Sequence, residues 1–490
     1  MRIPSSDCLD SAPADLRPPS ILFQGRHWSA DELTELAAYW LGALRDTDAP
    51  LLAVVMANHP QAVAAFFAVS GRSRPLIVLS PEPTTWRTEP PLPLETRLVL
   101  PPVLADLAPA GEALGLRVSV LAEPTATPSP PPGTARFLTT PGFVLFTAGS
   151  TRAPKPVYRT VLQVLGSLAR ILDVVGAPRG SAIAGTLPLS TTHGVSTLLA
   201  AADRQGTLGL LERFEPAAAL TLFGSREFHF WPGVPVMTEM LTRLAMRQPS
   251  RRWRVPPTCT VAGAPLTEAA WHAFRRQFGV PLRTIYGSTE AGMVTIDAAP
   301  ADEVQPGRAG QVATGIELCI GDDPRSPVPA DVAGQIWVRT PLYMKGYGYP
   351  PRLELPDAID GWHPMPDRGR RSEDGYLTVV GRTDEAFKTR AGYLVQPEAI
   401  RAVLSGWPGV TDAAVVPVET QAGLAPGVLV ESSAALQVSE LRARLETALP
   451  SWCHPRVVHV VVALPRLATG KIDRRRCSAI LHELTAPPPP

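Results

Sequence analysis

The sequence predicts an α/β protein with a large N-terminal domain, built from β-α-β units whose sheets are covered by helices, and a small α+β domain after it. Short apolar runs alternate with amphipathic stretches from about residue 29 to 290, a pattern typical of largely parallel sheets. The chain has 490 residues, which is too long for one compact core. Its 45% hydrophobic and 19% charged residues exclude global disorder.

The first predicted helix begins at a capping box, Ser29-Ala30-Asp31-Glu32. In such a box, the serine side chain accepts a hydrogen bond from the glutamate amide, and the glutamate side chain accepts one from the serine amide. Apolar residues from Leu33 to Leu44 then recur on one helical face. Further strand and helix pairs follow in chain order: Leu51–Met56 with Gln61–Val69, Ala182–Leu187 with Val195–Ala202, Phe228–Trp231 with Val236–Ala245, and Thr258–Val261 with Thr267–Phe278. Two further strands, Phe143–Phe146 and Leu282–Ile285, each lead into a polar loop.

A break at GRTDEAFKT, residues 381–389, divides the chain. It predicts an N-terminal domain over residues 1–381 and a small domain over residues 385–490. The small domain should contain helices at Pro397–Leu404 and Val438–Leu449 and several short strands. The proline-rich segment 124–133 should lie at the surface, and the four terminal prolines should fray.

Charge and cysteine content exclude several classes. Lys+Arg is 46 and Asp+Glu is 45, which argues against a nucleic-acid partner. The five cysteines lie far apart with no CxxC pair, as expected for reduced thiols. The first residues lack an apolar signal-peptide region, and no apolar run approaches the ~18 residues of a membrane helix. A cytoplasmic protein without a membrane span is therefore expected, as either a monomer or a dimer.

Three polar segments carry the candidate chemistry. Residues 147–155, TAGSTRAPK, follow a strand and combine hydroxyls, a glycine and a lysine that can wrap phosphates, although a connecting loop can have the same composition. Residues 286–290, YGSTE, also end a strand, where open α/β sheets bind ligands. Residues 465–474, PRLATGKIDR, place Lys471 in a loop, which in isolation would indicate only a solvated basic turn.

Other enzyme classes lack their motifs. There is no GxSxG elbow for a serine hydrolase and no GxGxxG for a dinucleotide-binding dehydrogenase. The nine histidines and five cysteines show no zinc-ligand spacing.

Together and in this order the segments resemble the adenylate-forming superfamily, which includes acyl- and aryl-CoA synthetases, luciferase-like enzymes and peptide-synthetase adenylation domains. The resemblance covers about residues 140 to 477. Its other matches are LPLSTTHG (187–194), LERFEPAAAL (211–220), AGAPL (262–266), PGRAGQ (306–311), GQIWVRT (334–340), DGWHPMPD (360–367), GRTDEAFK (381–388) and ATGKIDR (468–474).

The resemblance implies a two-step reaction. A carboxylate attacks the α-phosphate of ATP to give acyl-AMP and pyrophosphate, and a thiol then takes the acyl group and releases AMP. It also implies that the small domain is mobile and rotates between the steps about a hinge at residues 382–384, with Asp384 as the hinge residue. ATP, Mg²⁺ and coenzyme A, or the phosphopantetheine arm of a carrier protein, are the implied cofactors.

The resemblance also assigns roles to residues. Lys471, Thr289, Glu290 and His193 would be catalytic, with Glu290 holding Mg²⁺, a cation that prefers oxygen ligands. Lys471 would bridge the substrate carboxylate and the α-phosphate, and Thr289 would bind that phosphate. The nucleotide would be bound by Thr147, Gly149, Ser150, Thr151, Lys155, Gly263, Ala264, Pro265, Tyr286, Gly287, Asp367 and Arg382, with Tyr286 on adenine and Asp367 on the ribose.

Three positions depart from the family pattern. Arg152 replaces a glycine of the phosphate loop, Met365-Pro366 replaces Thr-Gly before the ribose aspartate, and residues 388–392 carry one extra residue near the expected pantetheine tunnel. None of the three removes a charged catalytic group. The alternatives of a carrier-protein ligase and, because of Arg152, a nucleotide-binding pseudoenzyme stay open.

The acid pocket is expected to comprise His193, His229, Phe230, Trp231, Gly233, Gly287 and Gly292. Residues 190–196, STTHGVS, contain no acid to pair with an ammonium group, which favours an uncharged carboxylic acid over an amino acid. The aromatic residues favour a small aryl or short acyl acid. Coenzyme A is the expected thiol acceptor, with an acyl carrier protein as the alternative partner. The arginines at 368–371 and 474–476 suit the phosphate of either.

Overall fold

The structure is a computed structural model of the chain. It describes residues 16–124, 135–147, 154–383, 385, 387–389, 393–405, 407–420, 423–467 and 470–485. Predictions for Gly149, Ser150, Thr151, Arg152 and the hinge residue Asp384 therefore lie outside the described residues.

The described strands and helices are numbered in chain order. The strands are β1 Ser20–Phe23, β2 Arg26–Trp28, β3 Leu51–Val55, β4 Leu76–Leu79, β5 Thr96–Leu100, β6 Arg117–Val120, β7 Gly142–Phe146, β8 Pro156–Thr160, β9 Ala182–Gly185, β10 Thr207–Leu210, β11 Phe230–Gly233, β12 Thr258–Val261, β13 Leu282–Ser288, β14 Gly292–Ile296, β15 Gln311–Val312, β16 Glu317–Ile320, β17 Gly334–Arg339, β18 Gly346–Tyr349, β19 Arg352–Glu354, β20 His363–Arg371, β21 Leu377–Arg382, β22 Phe387–Lys388, β23 Leu394–Val395, β24 Asp412–Thr420, β25 Gly423–Glu431 and β26 Val457–Val461. The helices are α1 Ala30–Ala43, α2 Pro60–Ser70, α3 Ala108–Ala113, α4 Val161–Val174, α5 Thr192–Asp203, α6 Pro216–Ser225, α7 Pro235–Arg247, α8 Glu268–Phe278, α9 Pro397–Ser405, α10 Val438–Ala448 and α11 Arg474–Thr485.

Two large sheets form the N-terminal part. One has nine strands in the order β15-β14-β13-β12-β11-β9-β10-β1-β2, and the other has eight in the order β19-β18-β8-β7-β4-β3-β5-β6. The central strands of both sheets are parallel, whereas β14, β15, β18 and β19 pair antiparallel at one edge of their sheets. The largest apolar core joins the two sheets through α1, α2, α4 and α5.

A four-stranded antiparallel sheet, β16-β17-β20-β21, follows the large sheets and ends at Arg382. The remaining chain forms a three-stranded sheet, β24-β25-β26, with α9 and α10 sharing one apolar cluster and α11 another. The predicted α/β class with a smaller α+β domain is confirmed. The boundaries 1–381, 382–384 and 385–490 stay a prediction.

Most predicted elements are present with small shifts at their ends. Ser29 Oγ accepts from the Glu32 amide at 3.1 Å, and the Glu32 carboxylate accepts from the Ser29 amide at 2.7 Å, so the predicted capping box starts α1. Cys259, Cys319, Cys453 and Cys477 are unpaired and buried. Within the described ranges, no helix is both long enough and apolar enough to cross a membrane.

Candidate active site

A cavity of about 1290 Å³ opens where the carboxyl ends of both large sheets meet. Residues that follow β3, β4, β7, β9, β11, β12 and β13 line it, including Asn58, Ser80, Thr147, Thr186 and Val234. Ligands bind at this edge of open α/β sheets, because the loops that leave parallel strands converge there. Seven of the predicted site residues line the cavity: Thr147, His193, Gly263, Gly287, Thr289, Gly292 and Lys471.

The turn between β13 and β14 presents Thr289 and Glu290. A Cβ on Gly287 would lie 2.1 Å from the Gly292 carbonyl oxygen, so only glycine allows this close approach of the two strands. Thr192 Oγ1 lies 3.4 Å from Thr289 Oγ1. Glu290 accepts a 3.1 Å hydrogen bond from Tyr347 Oη, and its carbonyl accepts from the Met344 amide at 2.8 Å. Thr289 therefore lines the cavity, whereas Glu290 lines a second, smaller pocket beside it together with Tyr347.

Lys471 enters the cavity from the small C-terminal part of the chain. Its carbonyl accepts from the Leu467 amide at 2.8 Å, and its Cε lies 3.6 Å from where a Cβ on Gly263 would stand. Burial, reinforced by the Arg382 guanidinium, lowers the pKa of Lys471, while nearby carboxylates including Asp367 oppose this shift. The structure thus places Lys471 in the same cavity as Gly287, Ser288 and Thr289 of the segment 286–290.

Tyr286, Asp367 and Arg382 form a hydrogen-bonded group beside the cavity. Tyr286 Oη donates to Asp367 Oδ2 at 2.8 Å, and Arg382 Nη1 lies 3.8 Å from Asp367 Oδ1. Burial and the Asp367 charge raise the pKa of Tyr286, so its phenol stays protonated and keeps donating. Glu385 also contacts Arg382, at 3.5 Å, and accepts from Arg474 at 2.5 Å.

Two hydrogen bonds close the base of the predicted phosphate loop, residues 147–155. The Thr147 amide donates to the Lys155 carbonyl at 3.1 Å, and the Lys155 amide donates to Thr147 Oγ1 at 3.1 Å. Lys155 Nζ lies 5.4 Å from the ring centre of Tyr347, within the range of a cation–π contact. Because Tyr347 also donates to Glu290, one aromatic side chain connects the loop base with the predicted metal ligand.

Helices α4 and α5 and strand β14 form one wall of the cavity. Its lining residues there are Ser167, Leu168, Ile171, His193, Ser196, Gly292 and Met293. Burial lowers the pKa of His193 to about 4, so the imidazole is neutral at physiological pH. A Cβ on Gly194 would lie 2.1 Å from the Pro188 carbonyl oxygen, so position 194 of α5 accepts no side chain, acidic or not.

The prediction that His229, Phe230, Trp231 and Gly233 line the acid pocket is corrected by the structure. Phe230 and Trp231 are fully buried in the core, and the Trp231 ring stacks on Phe274 with centroids 6.4 Å apart. His229 lies at the amino end of β11, opposite the cavity, where its Nδ1 accepts from the Ala182 amide at 3.2 Å. Val234 and Met237 line the cavity instead, because they follow the carboxyl end of β11.

Other predicted nucleotide residues lie next to the cavity without lining it. Ala264 and Pro265 are exposed in the turn after β12, directly beyond Gly263. Gly263 itself has φ +87°, a conformation that favours glycine.

Two buried polar residues near the site have no counterpart in the motif-based prediction. Asn58 lines the cavity and connects loops, because its Nδ2 donates to the carbonyls of Leu187 and Leu211 and its Oδ1 accepts from the Leu189 amide. Arg159 is fully buried on β8. The only sequence signal for it is a charged residue inside the strand PVYRT.

The donor set suits a magnesium ion that is held mainly by substrate. Within the described ranges, no group of three or more His, Cys, Asp or Glu side chains could hold a metal ion. Mg²⁺ is commonly bound by one or two carboxylates together with substrate phosphates, rather than by an all-protein cage. Glu290, which follows Thr289 and lines the smaller adjacent pocket, fits that arrangement.

Known proteins match most of this chain. Residues 17–348 match the family model of the AMP-binding enzymes, and residues 399–471 match that of the AMP-binding enzyme C-terminal domain. The human mitochondrial acyl-coenzyme A synthetase ACSM2B is 26% identical over 358 residues, which is 68% of this chain and 60% of that protein. The 4-coumarate–CoA ligase-like 9 of Oryza sativa subsp. japonica is 28% identical over 346 residues, 68% of this chain and 62% of that protein. The matched regions thus span about 60% of the length of these relatives.

Solved structures share the fold. ATP-bound MatB from Rhodopseudomonas palustris has a TM-score of 0.78 at 20% identity, covering 98% of this chain and 99% of that one. O-succinylbenzoate coenzyme A synthetase (MenE) from Bacillus subtilis, in complex with ATP and magnesium, has a TM-score of 0.77 at 20% identity, covering 94% and 96%. Since the two family models together match well over half of the sequence, the chain belongs to the AMP-binding enzymes of the adenylate-forming superfamily.

Proposed function

We propose that the protein activates a carboxylic acid with ATP to give acyl-AMP and pyrophosphate, and then transfers the acyl group to the thiol of coenzyme A. One observation carries the proposal: Lys471 extends from the small domain into the same cavity that Thr289 lines. A buried cation directed at the place where charge develops is the arrangement that electrostatic catalysis requires. Relatives named as acyl-CoA, oxalate–CoA and 2-succinylbenzoate–CoA ligases support it.

In the first step, the described residues have separate tasks. The loop closed by Thr147 and Lys155 binds the outer phosphates of ATP, and Thr289 donates to the α-phosphate. Glu290 holds Mg²⁺, which adds positive charge on the phosphates when bound. Lys471 contacts the acid carboxylate and the α-phosphate, so that negative charge on phosphorus is stabilised as the carboxylate attacks.

The nucleoside is bound beside these groups. Asp367 accepts from the ribose hydroxyls, and Tyr286 flanks adenine opposite the turn formed by Gly263, Ala264 and Pro265. Arg382 contacts Asp367 from the last strand before the hinge. After pyrophosphate leaves, the small domain rotates about residues 382–384, Lys471 withdraws and the thiol enters.

The acid is uncharged apart from its reacting carboxylate, and its aryl or acyl group faces a wall that is largely apolar. The wall made by α4, α5 and β14 combines apolar Leu168, Ile171 and Met293 with a neutral His193. Among the described residues, this wall contributes no carboxylate that could pair with the ammonium group of an amino acid, and the carboxylates that line the cavity, Glu82, Glu212 and Asp473, belong to other segments. An aryl or acyl acid therefore matches this wall better than an amino acid does.

Coenzyme A is the proposed acceptor, and a carrier-protein arm is the alternative. Arg475 and Arg476 are exposed and line the cavity. They can meet a phosphate of either acceptor, so charge alone does not distinguish the two. The names of the relatives favour coenzyme A.

The test is acid-dependent pyrophosphate exchange and hydroxamate trapping over a panel of benzoates, short and long fatty acids and amino acids. Each active acid is then offered coenzyme A or a phosphopantetheinyl carrier protein. Exchange with benzoates or short acyl acids, and thioester formation with coenzyme A, are expected. ATP binding without exchange for any acid would instead indicate a nucleotide-binding pseudoenzyme.

A further inference from the structure

Arg159 is a charged side chain inside the core for which the reaction assigned above has no use. It is 0% exposed on β8, and its Nε has no hydrogen-bond partner. Within the described ranges, no carboxylate lies at ion-pair distance from its guanidinium. Placing an ion in such a position costs stability unless the ion is well compensated. The contacts of Arg159 therefore indicate what the charge is for.

The guanidinium forms hydrogen bonds with backbone carbonyls of three segments around the cavity. Nη2 donates to the Gln163 carbonyl at 2.7 Å and to the Leu342 carbonyl at 3.0 Å. Nη1 points to the Thr289 carbonyl at 3.5 Å. One planar side chain thus joins the start of α4, the segment before β18 and the turn that presents Thr289 and Glu290.

Neighbouring groups reinforce the same junction. Gln163 Nε2 donates to the Tyr343 carbonyl at 2.6 Å, and the Met344 amide donates to the Glu290 carbonyl at 2.8 Å. Gly292, at φ +70°, has its Cα against the guanidinium, since a Cβ there would lie 2.6 Å from Nη2 and 2.2 Å from Ser167 Oγ. The turn from Ser288 to Gly292 is therefore held against Arg159 through its backbone at both ends.

The position of the charge matters as well as its hydrogen bonds. Burial lowers the pKa of Arg159 to about 10, and among the described residues Glu290 is the charged group that opposes this shift. A fixed cation behind this turn attracts the Glu290 side chain and an anionic ligand in front of the turn. A neutral side chain of the same volume could fill the space but supply neither effect.

We propose that Arg159 is a positioning residue for the ATP–Mg²⁺ site. Its forked donors fix the Ser288–Gly292 turn, and its charge balances Glu290 so that Thr289 and Glu290 face the nucleotide and metal in one geometry. The inference rests on the proposed function for the identity of the ligand.

The experiment compares three variants. R159M removes the charge and the donors at similar volume, and R159K keeps the charge but loses the fork. R283M is the matched control, because Arg283 Nη1 also donates to backbone carbonyls, those of Asp297 and Ala299, away from the cavity. ATP binding is titrated calorimetrically at several Mg²⁺ concentrations, alongside thermal unfolding and pyrophosphate exchange.

R159M is expected to raise the Mg²⁺ concentration needed for half-maximal ATP binding by about 10-fold or more, the usual cost of losing a group that orients a metal ligand. R159K should raise it less, and R283M should leave it unchanged. The KM for the acid should change little while kcat falls. If R159M matches R283M in Mg²⁺ dependence, the residue is only structural and the proposal is wrong.

If R159M does not fold, the proposal is tested with R159K alone. An unchanged Mg²⁺ requirement in R159K would overturn the positioning role of the forked guanidinium donors. A wild-type protein that binds ATP with Mg²⁺ but exchanges pyrophosphate with no acid would contradict the proposed function. The calorimetric test of Arg159 would still be valid in that case.

Discussion

At the scale of one residue, the site depends on the buried amine of Lys471. Its amine is carried by a turn of the small domain, and it lies among charges of both signs, with Arg382 opposing its protonation and Asp367 and Glu290 favouring it. The predicted two-step reaction needs this cation in the first step only. The two steps should therefore respond differently to its removal.

Lys471→Ala should lower acyl-adenylate formation by about 10²–10³-fold, the usual loss when a preorganised charge donor is removed. Thioester formation from pre-made acyl-AMP should be largely retained, because the lysine has withdrawn by then. Single-turnover measurement of each half-reaction checks this. An equal loss in both steps would contradict the two-arrangement account.

The lowered pKa of Lys471 gives a pH prediction with a definite sign. A lysine loses its charge above its pKa, so adenylation should decline at a lower pH than an ordinary lysine with a pKa of 10.5 would cause. Lys471→Arg should move that decline to higher pH, since arginine stays protonated. The pH profile of pyrophosphate exchange measures both declines. If the wild type and Lys471→Arg lose activity at the same alkaline pH, the decline is not caused by deprotonation of Lys471.

Some site residues could be predicted from sequence, and others could not. Thr147, Thr289 and Lys471 belong to motifs whose residues follow strands or turns, and the structure brings all three to one cavity. Phe230 and Trp231 have the composition of a pocket wall, but they lie within β11 and pack in the core. Arg159 has no motif, because its role depends on carbonyls from residues 289 and 342, far away in the sequence.

At the scale of elements, the turn bearing Lys471 is held in place by helix α7. Gly470 has φ +79°, and a Cβ on it would lie 2.7 Å from Val236 Cγ1 and 3.3 Å from Val234 Cγ2. The amino end of α7 thus contacts the backbone of the lysine turn directly. The alternation of strands and helices predicted α7 itself, but its contact with this turn involves a segment more than 200 residues away and no local pattern encodes it.

Gly470→Ala should displace the lysine turn from α7, through both the clash and the strained backbone, and slow adenylation more than thioester formation. The double variant Gly470→Ala, Val236→Ala should regain part of the first-step rate, because it removes the atom that the new methyl group meets. Val236→Ala alone is the control. No recovery in the double variant would mean that backbone strain, not contact with α7, causes the loss.

The antiparallel sheet β16-β17-β20-β21 was not predicted as a unit. No helix lies between its strands in the chain, although β18 and β19 of the eight-stranded sheet come between β17 and β20, so the strand–helix alternation that identified the two large sheets ends before it. It nevertheless supplies Asp367 and, at its end, Arg382. The family motifs predicted these residues while local periodicity did not predict the sheet that carries them.

At the scale of the whole molecule, the two parts of the chain meet through partly buried charges as well as through Lys471. Arg466 bridges Asp412 at 2.9 Å and Glu431 at 3.2 Å, and its Nη1 donates to the Gly470 carbonyl at 3.3 Å. Glu239 on α7 faces this cluster, with Arg243 at 3.8 Å. Three carboxylates therefore meet at the contact formed while Lys471 is in the cavity.

This contact should make the balance between the two domain arrangements depend on pH. Burial, with repulsion from Asp412 and Glu431, raises the pKa of Glu239 from 4.5 to about 7, against the pull of Arg243 and Arg466. Once the small domain has rotated away, the pKa should return toward its ordinary value. The arrangement with Lys471 inserted therefore binds the extra proton, and it loses stability relative to the rotated one as pH rises from about 4.5 to about 7.

Glu239→Gln should keep the inserted arrangement favoured at every pH, because the amide cannot ionise. The thioester step of this variant should be slower than that of the wild type at pH values above 7, and the ratio of the two half-reaction rates should no longer change between about pH 5 and 7. Glu112→Gln, at an exposed position on α3, is the charge-matched control and should behave as wild type. Stopped-flow measurement of both half-reactions across this range checks the prediction. If the glutamine variant keeps the pH dependence of the wild type, another group controls the domain balance, and the carboxylate cluster contributes only to the packing of the interface.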